Sequence, residues 1–319
     1  MCIADLGLSL SQRWAGLMCP SNVARCVRVG VAFAAIYLIW GSTYLAIRLA
    51  IQSVPPFLMA GTRFCTAGAL LYLWTRRRGA PRPSRFQWRE AAIVGILLLS
   101  VGNGGVTWAE QHIPSGLVAL MVAMVPLWMV ILESLRTGGT RPGGKMIAGL
   151  GLGLAGMAVL VAPGSLSGAP SFDVTAVAVL VLSTLGWSVG SLYSRRARLP
   201  AVPLRGPAME MLVGGALLLL AGGLGGEWGR LDLGALSLRS LLAMGYLTAF
   251  GSLVGFSAYV WLLRTSTPAR VSTYAFVNPV VAIFLGWSLA GEPLSWSTLL
   301  AAAIIICGVG LITTSRPRS

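Results

Sequence analysis

The chain repeats itself at half its length, and each copy holds an odd number of apolar segments. Residues 40–63 contain Trp40-Gly41-Ser42, Arg48, Pro56 and Arg63, and 147 residues later the frame returns as Trp187-Ser188, Arg195, Pro203 and Glu210. Trp108, Pro126 and Thr140 correspond to Trp261, Pro279 and Pro293 at an offset of 153, the difference being absorbed by a longer polar loop near 225–238. A repeat of this period governs every later reading. Each copy carries five apolar segments of the ~20 residues needed to cross a bilayer. Five spans leave the chain on the face opposite to where it started, so the second copy must enter the membrane upside down.

With 319 residues, 56% of them hydrophobic and only 10% charged, the chain reads as an all-α polytopic membrane protein. Ten transmembrane helices are predicted, at about 30–51, 57–75, 90–110, 114–135, 143–162, 173–194, 205–225, 239–262, 268–290 and 294–314. They fall into a tail at 1–28, a first five-helix repeat at 29–163 and a second, inverted one at 171–315, with no room for a separate soluble domain. Met18 is a second possible start. Residues 1–28 contain no apolar run of signal-peptide length.

The formal charge of +15 invites a nucleic-acid reading, which its distribution refuses. Clusters such as Arg76-Arg77-Arg78, Arg136 with Lys145, and Arg195-Arg196 with Arg198 all fall on one side of a ten-span layout. Arg48, Arg230 and Arg239 fall on the other, and Arg63 lies inside a span. Positive residues gather on the cytoplasmic side, so both termini are expected there, in a cell inner membrane. The bilayer, not nucleic acid, is the expected partner of this charge. Five cysteines without a CxxC or a nearby histidine predict neither disulfide nor zinc.

Two enzyme patterns fail on context. Gly151-Leu152-Gly153-Leu154-Ala155-Gly156 satisfies GxGxxG but lies inside an apolar helix, not at a strand-to-helix turn. Gly186-Trp187-Ser188-Val189-Gly190 matches GxSxG, yet the one histidine, His112, falls near the outer surface and cannot serve Ser188 as a base. No catalytic residue, metal or cofactor is expected.

Polar groups inside the spans carry more information. A charge at the bilayer centre costs at least ~2.5–3.5 kcal/mol on insertion scales, which makes an intramembrane charge a functional candidate. Arg63 qualifies, with Glu110 or a bound anion as partner. Glu210, its repeat equivalent, could meet Arg205 or Arg270. Inversion places the two at opposite depths, so they are not expected to pair with each other. Ser42, Thr43, Asn103, Thr107, Ser188, Tyr259, Tyr274 and Asn278 lie well within their segments. Serine and threonine can bond their own helix backbone, whereas asparagine must bond across helices or face water. Trp40 and Trp187 sit at equivalent mid-span places, away from the interfacial belts tryptophan favours, and suit the walls of a cavity on the repeat axis. Pro126 and Pro279 should bend spans four and nine and free a carbonyl in each. The loop 226–238, with Glu227, Arg230 and Asp232, reads as solvated.

At these residues the chain resembles the drug/metabolite transporter superfamily, specifically EamA-domain proteins and most closely the YedA-type drug/metabolite exporters. The resemblance rests on Ile39-Trp40-Gly41-Ser42-Thr43-Tyr44 with Arg48, on Pro55-Pro56 through Arg63-Phe64, and on Val101-Gly102-Asn103-Gly104. It continues through Thr107 to Glu110, Pro114-Ser115-Gly116, Ser188 to Tyr193, Glu210-Met211-Leu212, Ser272 to Val281 and Gly291-Glu292. It covers about residues 29–315. It departs at Gly138-Gly139, where the first copy lacks the glutamate of Gly291-Glu292.

The resemblance implies two inverted EamA repeats around a central cavity and the outward movement of small metabolites, amino acids or drugs. Inverted repeats are themselves the mark of secondary transporters. In this reading Trp40 and Trp187 wall the cavity, Asn103, Thr107, Tyr259, Tyr274 and Asn278 bond a small-molecule substrate, and Arg63 draws an anionic group. Glu110 and Glu210 are the candidate proton-coupling carboxylates. Import through the same cavity is the alternative, with a membrane enzyme acting on lipid or peptide as the rival from another class. Substrate, coupling ion and oligomeric state stay open at this stage.

Overall fold

The computed structural model describes residues 20–112, 118, 121–136, 142–165, 174–290 and 296–315, and among these there are helices and no strands. The long helices are α1 (Pro20–Ala50), α2 (Pro56–Arg77), α3 (Arg85–Ala109), α4 (Val125–Leu135) and α5 (Gly144–Ser165). They continue with α6 (Val174–Ser194), α7 (Arg205–Leu224), α8 (Leu238–Thr265), α9 (Tyr274–Ala290) and α10 (Trp296–Thr314). Six of the described helices are long and apolar enough to cross a membrane: Cys26–Ala50 within α1, and α2, α3, α6, α7 and α8. A polypeptide inside hydrocarbon must satisfy its own backbone, which helices do.

Helix ends follow local chemistry. Pro55-Pro56 opens α2, where a missing N–H costs nothing. Ser84 caps α3 in a reciprocal capping box with Gln87, and Ser237 caps α8 by accepting from the Ser240 N–H. Two departures from regular winding recur in both copies. The middle of α3 (Ile96–Asn103) and of α8 (Leu247–Phe256) is wound as a π-helix. The chain also turns at residues 123–124 just before α4 and at 272–273 just before α9. Pro126 therefore lies in the first turn of α4 rather than bending a continuous span, because the chain has already broken ahead of it. Pro279 lies inside α9, as expected.

Packing is made by small residues. A Cβ on Gly61 would lie 2.9 Å from the Gly215 carbonyl, and one on Gly68 would lie 2.9 Å from the Ala208 carbonyl, so α2 and α7 touch backbone to backbone. Rising numbers on α2 meet falling numbers on α7, so the two run antiparallel. Gly61 and Ala208 are repeat equivalents, as are Gly68 and Gly215, and Cys65 sits opposite its own equivalent Leu212 at the crossing. Helices α5 and α10 meet similarly through Gly149, Gly153 and Gly308. The remaining large contacts also come in equivalent pairs: α1 with α9 and α6 with α4, then α1 with α8 and α6 with α3. The main buried core joins side chains from both copies.

Candidate functional site

A cavity with about 740 Å³ of empty space, its open mouth included, lies between the two copies. Its walls come from the C-terminal halves of α1 and α3, the start of α2, the middle of α6 and α8, and the beginnings of α4 and α9. The broken starts of α4 and α9 thus both border it, through Val122 and Val125 on one side and Tyr274 and Asn278 on the other.

One reciprocal contact sets the cavity floor. Trp40 of α1 packs on Gly255 in the π-helical stretch of α8, where a Cβ would lie 2.5 Å from Trp40 Nε1. Trp187 of α6 packs on Gly102 in the π-helical stretch of α3, where a Cβ would lie 2.8 Å from the indole. Trp40 and Trp187 are repeat equivalents, and so are Gly255 and Gly102. Only glycine leaves room for an indole at this approach. The two indoles meet edge to face with centroids 5.7 Å apart, and Tyr259 and Tyr274 complete the cluster at 5.0 and 4.9 Å from Trp40. Trp40 Nε1 donates to the Gly251 carbonyl at 3.2 Å, and Trp187 Nε1 donates to the Tyr259 hydroxyl at 2.8 Å. The Tyr259 hydroxyl also bonds Ser191 Oγ at 2.6 Å, which locks the ring.

The charged wall is built from α2 and α3. Arg63 is only 4% exposed, and its Nη2 donates to Asn103 Oδ1 at 2.5 Å while its buried Nε has no hydrogen-bond partner among the described residues. The pairing expected with Glu110 is not a contact: no ion pair within 4 Å joins them, although Glu110 acts on Arg63 across space. Buried Oε1 of Glu110 lacks a partner among the described residues as well. Opposite, the Asn278 amide nitrogen, oriented so that donors meet acceptors, donates to the Tyr274 carbonyl (3.0 Å) and the Tyr37 carbonyl (3.2 Å).

Of the residues singled out in the sequence, Trp40, Thr43, Arg63, Asn103, Trp187, Tyr274 and Asn278 line the cavity. Tyr259 stands behind the indoles. Thr107 donates to the Asn103 carbonyl at 2.9 Å, Ser42 donates to the Ile39 carbonyl and bonds the Tyr246 hydroxyl, and Ser188 donates to the Thr184 carbonyl at 2.7 Å. These hydroxyls serve helix backbone, the alternative open to any serine or threonine in a span. Tyr44, Phe64, Ser183, Thr184 and Phe256 also line the cavity and were not foreseen. The repeat held a signal for one of them, since Phe256 is the equivalent of Asn103.

Three expectations about charge are corrected. Glu210 meets neither Arg205 nor Arg270 within 4 Å; it is 0% exposed and neither carboxylate oxygen has a hydrogen-bond partner among the described residues. Arg205 instead points into α2, donating to the Tyr72 carbonyl (2.9 Å) and Thr75 Oγ1 (2.7 Å) with its guanidinium 3.8 Å over the Tyr72 ring. Glu227 is not solvated: its carboxylate accepts from the N–H groups of Phe57 (3.3 Å) and Leu58 (2.9 Å) at the start of α2. Glu292 and Gly138-Gly139 lie outside the described residues. The GxSxG glycines are packing sites, Gly186 against Val101 and Gly190 against Leu97, and Gly153 of the GxGxxG run packs on Phe276.

Comparison with known proteins agrees with this architecture. The "Uncharacterized inner membrane transporter YedA" of Escherichia coli (strain K12) is 42% identical over 287 residues, covering 89% of this chain and 90% of its own length. The "Uncharacterized transporter YvbV" of Bacillus subtilis (strain 168) is 24% identical over 90% of this chain and 92% of its own. A solved crystal structure at 23% identity superimposes with a TM-score of 0.73 over 89% of this chain and 96% of its own, so the fold is shared. The profile of the EamA-like transporter family matches twice, at residues 28–162 and 174–314. This is therefore a multi-pass membrane protein that belongs to the EamA-like transporter family, within the drug/metabolite transporter superfamily.

Proposed function

We propose that the protein is a secondary transporter that moves a small organic metabolite across the inner membrane by alternating access of the cavity between its two copies. The observation that carries this reading is the reciprocal docking of Trp40 on Gly255 and of Trp187 on Gly102. It places equivalent residues of both copies around one cavity, the arrangement in which rocking of one repeat against the other moves a fixed site from face to face.

Ten spans in two inverted repeats, at 29–163 and 171–315, fit the contacts. Equivalent helices α2 and α7 cross antiparallel, and a two-fold axis relates antiparallel partners only when it runs perpendicular to them, in the membrane plane. Combined with the arginine bias, this supports a layout with both termini and the tail at 1–28 in the cytoplasm. In this layout the cavity lies in the outer half, nearer the α1–α2 turn, and the aromatic cluster closes it from the inner half.

The walls favour a ligand with an anionic group on a flat or apolar body. Arg63 is the cationic lining residue, and Trp40, Trp187, Tyr274 and Phe64 supply the apolar surface. Asn103 holds the Arg63 guanidinium in place and leaves Nε to receive the ligand. Asn278 and Tyr44 offer the remaining polar contacts, while the Thr43 hydroxyl donates to the Trp40 carbonyl of its own helix at 2.7 Å. Outward transport follows the resemblance to exporters; import through the same cavity is the second reading.

Untargeted metabolite profiles of medium and cells, comparing wild type with a correctly inserted Trp40→Ala/Asn278→Ala variant, test this. Export predicts a compound enriched outside only with wild type, and import predicts one depleted from the medium. Identical profiles for the two proteins contradict transport of common metabolites through these residues.

A further inference from the structure

The two copies present opposite halves of the same lining, one open and one closed. Carrying the open cavity's residues through the repeat offsets takes Arg63 to Glu210, Ile47 to Ser194, Leu99 to Ser252 and Tyr44 to Ser191. All four are buried in the half nearer the α6–α7 connection, and the pocket open there, between Pro200–Pro207 and the Ser257–Arg264 stretch of α8, is not lined by any of them. Three of them also account for four of the buried polar atoms that lack a hydrogen-bond partner among the described residues: both carboxylate oxygens of Glu210, Ser194 Oγ and Ser252 Oγ. Native interiors rarely leave such groups unpaired, and in low dielectric each one is costly. They fall together at the positions that symmetry assigns to a cavity wall.

We infer that Glu210, Ser194 and Ser252 line a second, closed half-site that opens on the opposite face in the alternate conformation and takes a cationic group. The inference rests on the alternating-access reading above and adds the charge that each face presents. Arg63 makes the open half a site for anions, and at the equivalent place the closed half presents a carboxylate. The cationic group is an organic ammonium or a proton. The charged group acting on Glu210 from a neighbouring helix is Arg264 of α8, which is exposed and farther than 4 Å. Arg205 is held by α2 and does not reach it. Neither arginine occupies the Glu210 carboxylate, which is left to a ligand cation.

Single cysteines at Leu99, Ser194 and Ser252, in a full-length protein whose native cysteines are serine, provide the test in sided membrane vesicles. The probes are two membrane-impermeant methanethiosulfonates of opposite charge, one carrying trimethylammonium and one sulfonate. Leu99→Cys is expected to label from one face and to favour the sulfonate. Ser194→Cys and Ser252→Cys are expected to label from the other face and to favour the trimethylammonium reagent by at least ~10-fold in rate, as charge-lined clefts do. Added Glu210→Gln should bring that ratio near one, Glu210→Asp should keep it, and Arg264→Gln should raise it. Methylammonium lowering the ratio at fixed pH identifies an organic ammonium as the ligand; a ratio that falls only on acidification identifies the proton. Opposite-face labelling without charge preference, or a ratio governed by Arg264 and not Glu210, overturns the cation site and leaves alternating access standing. Labelling of all three from one face removes alternating access itself.

Discussion

Two buried charges in this protein are anchored by backbone groups of α2 rather than by an opposite charge. Glu227 lies 169 residues from Leu58 in sequence, yet supplies the acceptor that α2 lacks, because Pro55 at the N-cap has no side-chain oxygen to offer. A carboxylate there also meets the positive end of the helix dipole. Glu227→Ala should cost about 1 kcal/mol, the typical loss of a capping group, read as a lower thermal unfolding midpoint in detergent. An unchanged midpoint would contradict the cap. Arg205 does the same at the other end of α2, its donors on the Tyr72 carbonyl and Thr75 hydroxyl. Neither role was legible beforehand. Sequence position put Glu227 in a polar loop and Arg205 among cytoplasmic arginines, and only the α2–α7 crossing brings them to the two ends of one helix.

At the scale of elements, the docking of each tryptophan on the other copy's π-helical glycine should be sensitive to a single methyl. Gly102→Ala and Gly255→Ala each place a Cβ within 2.8 Å of an indole that the aromatic cluster holds in place. Overpacking of this kind costs about 1–3 kcal/mol, whereas Gly151→Ala and Gly310→Ala have open space before them and should be neutral. Thermal midpoints of the four variants decide this, and equal values across them would sink the proposed docking. Trp40 and Trp187 could be picked out from their equivalent mid-span places, but their glycine seats could not. Apolar periodicity places a helix without revealing where it widens to π or where it breaks, as before α4 and α9, since neighbouring helices decide both. Asparagine proved easier to read than serine. Asn103 takes the Arg63 guanidinium of α2, and Asn278 reaches the Tyr37 carbonyl of α1 besides the Tyr274 carbonyl of its own helix; both border the cavity, while Ser42, Thr107 and Ser188 took the helix carbonyls available to them.

For the molecule as a whole, the proposed transporter is two copies of one unit inserted in opposite senses, with a small-molecule path between them. The repeat and its apolar segments were visible in the sequence, and the described helices follow those segments except that α1 and α3 begin earlier than expected and α4 and α9 start only after the breaks. What the sequence could not supply was the antiparallel crossing of α2 on α7, a tertiary fact that bears directly on inversion. The most direct test compares Gln52→Cys in the α1–α2 turn with Arg198→Cys in the equivalent α6–α7 connection, both exposed, in a background without native cysteines. Each is probed with an impermeant thiol reagent in intact cells and in inverted vesicles. Inverted repeats predict that Gln52→Cys labels only from outside and Arg198→Cys only from the cytoplasm. Labelling of both from the same face would contradict the account.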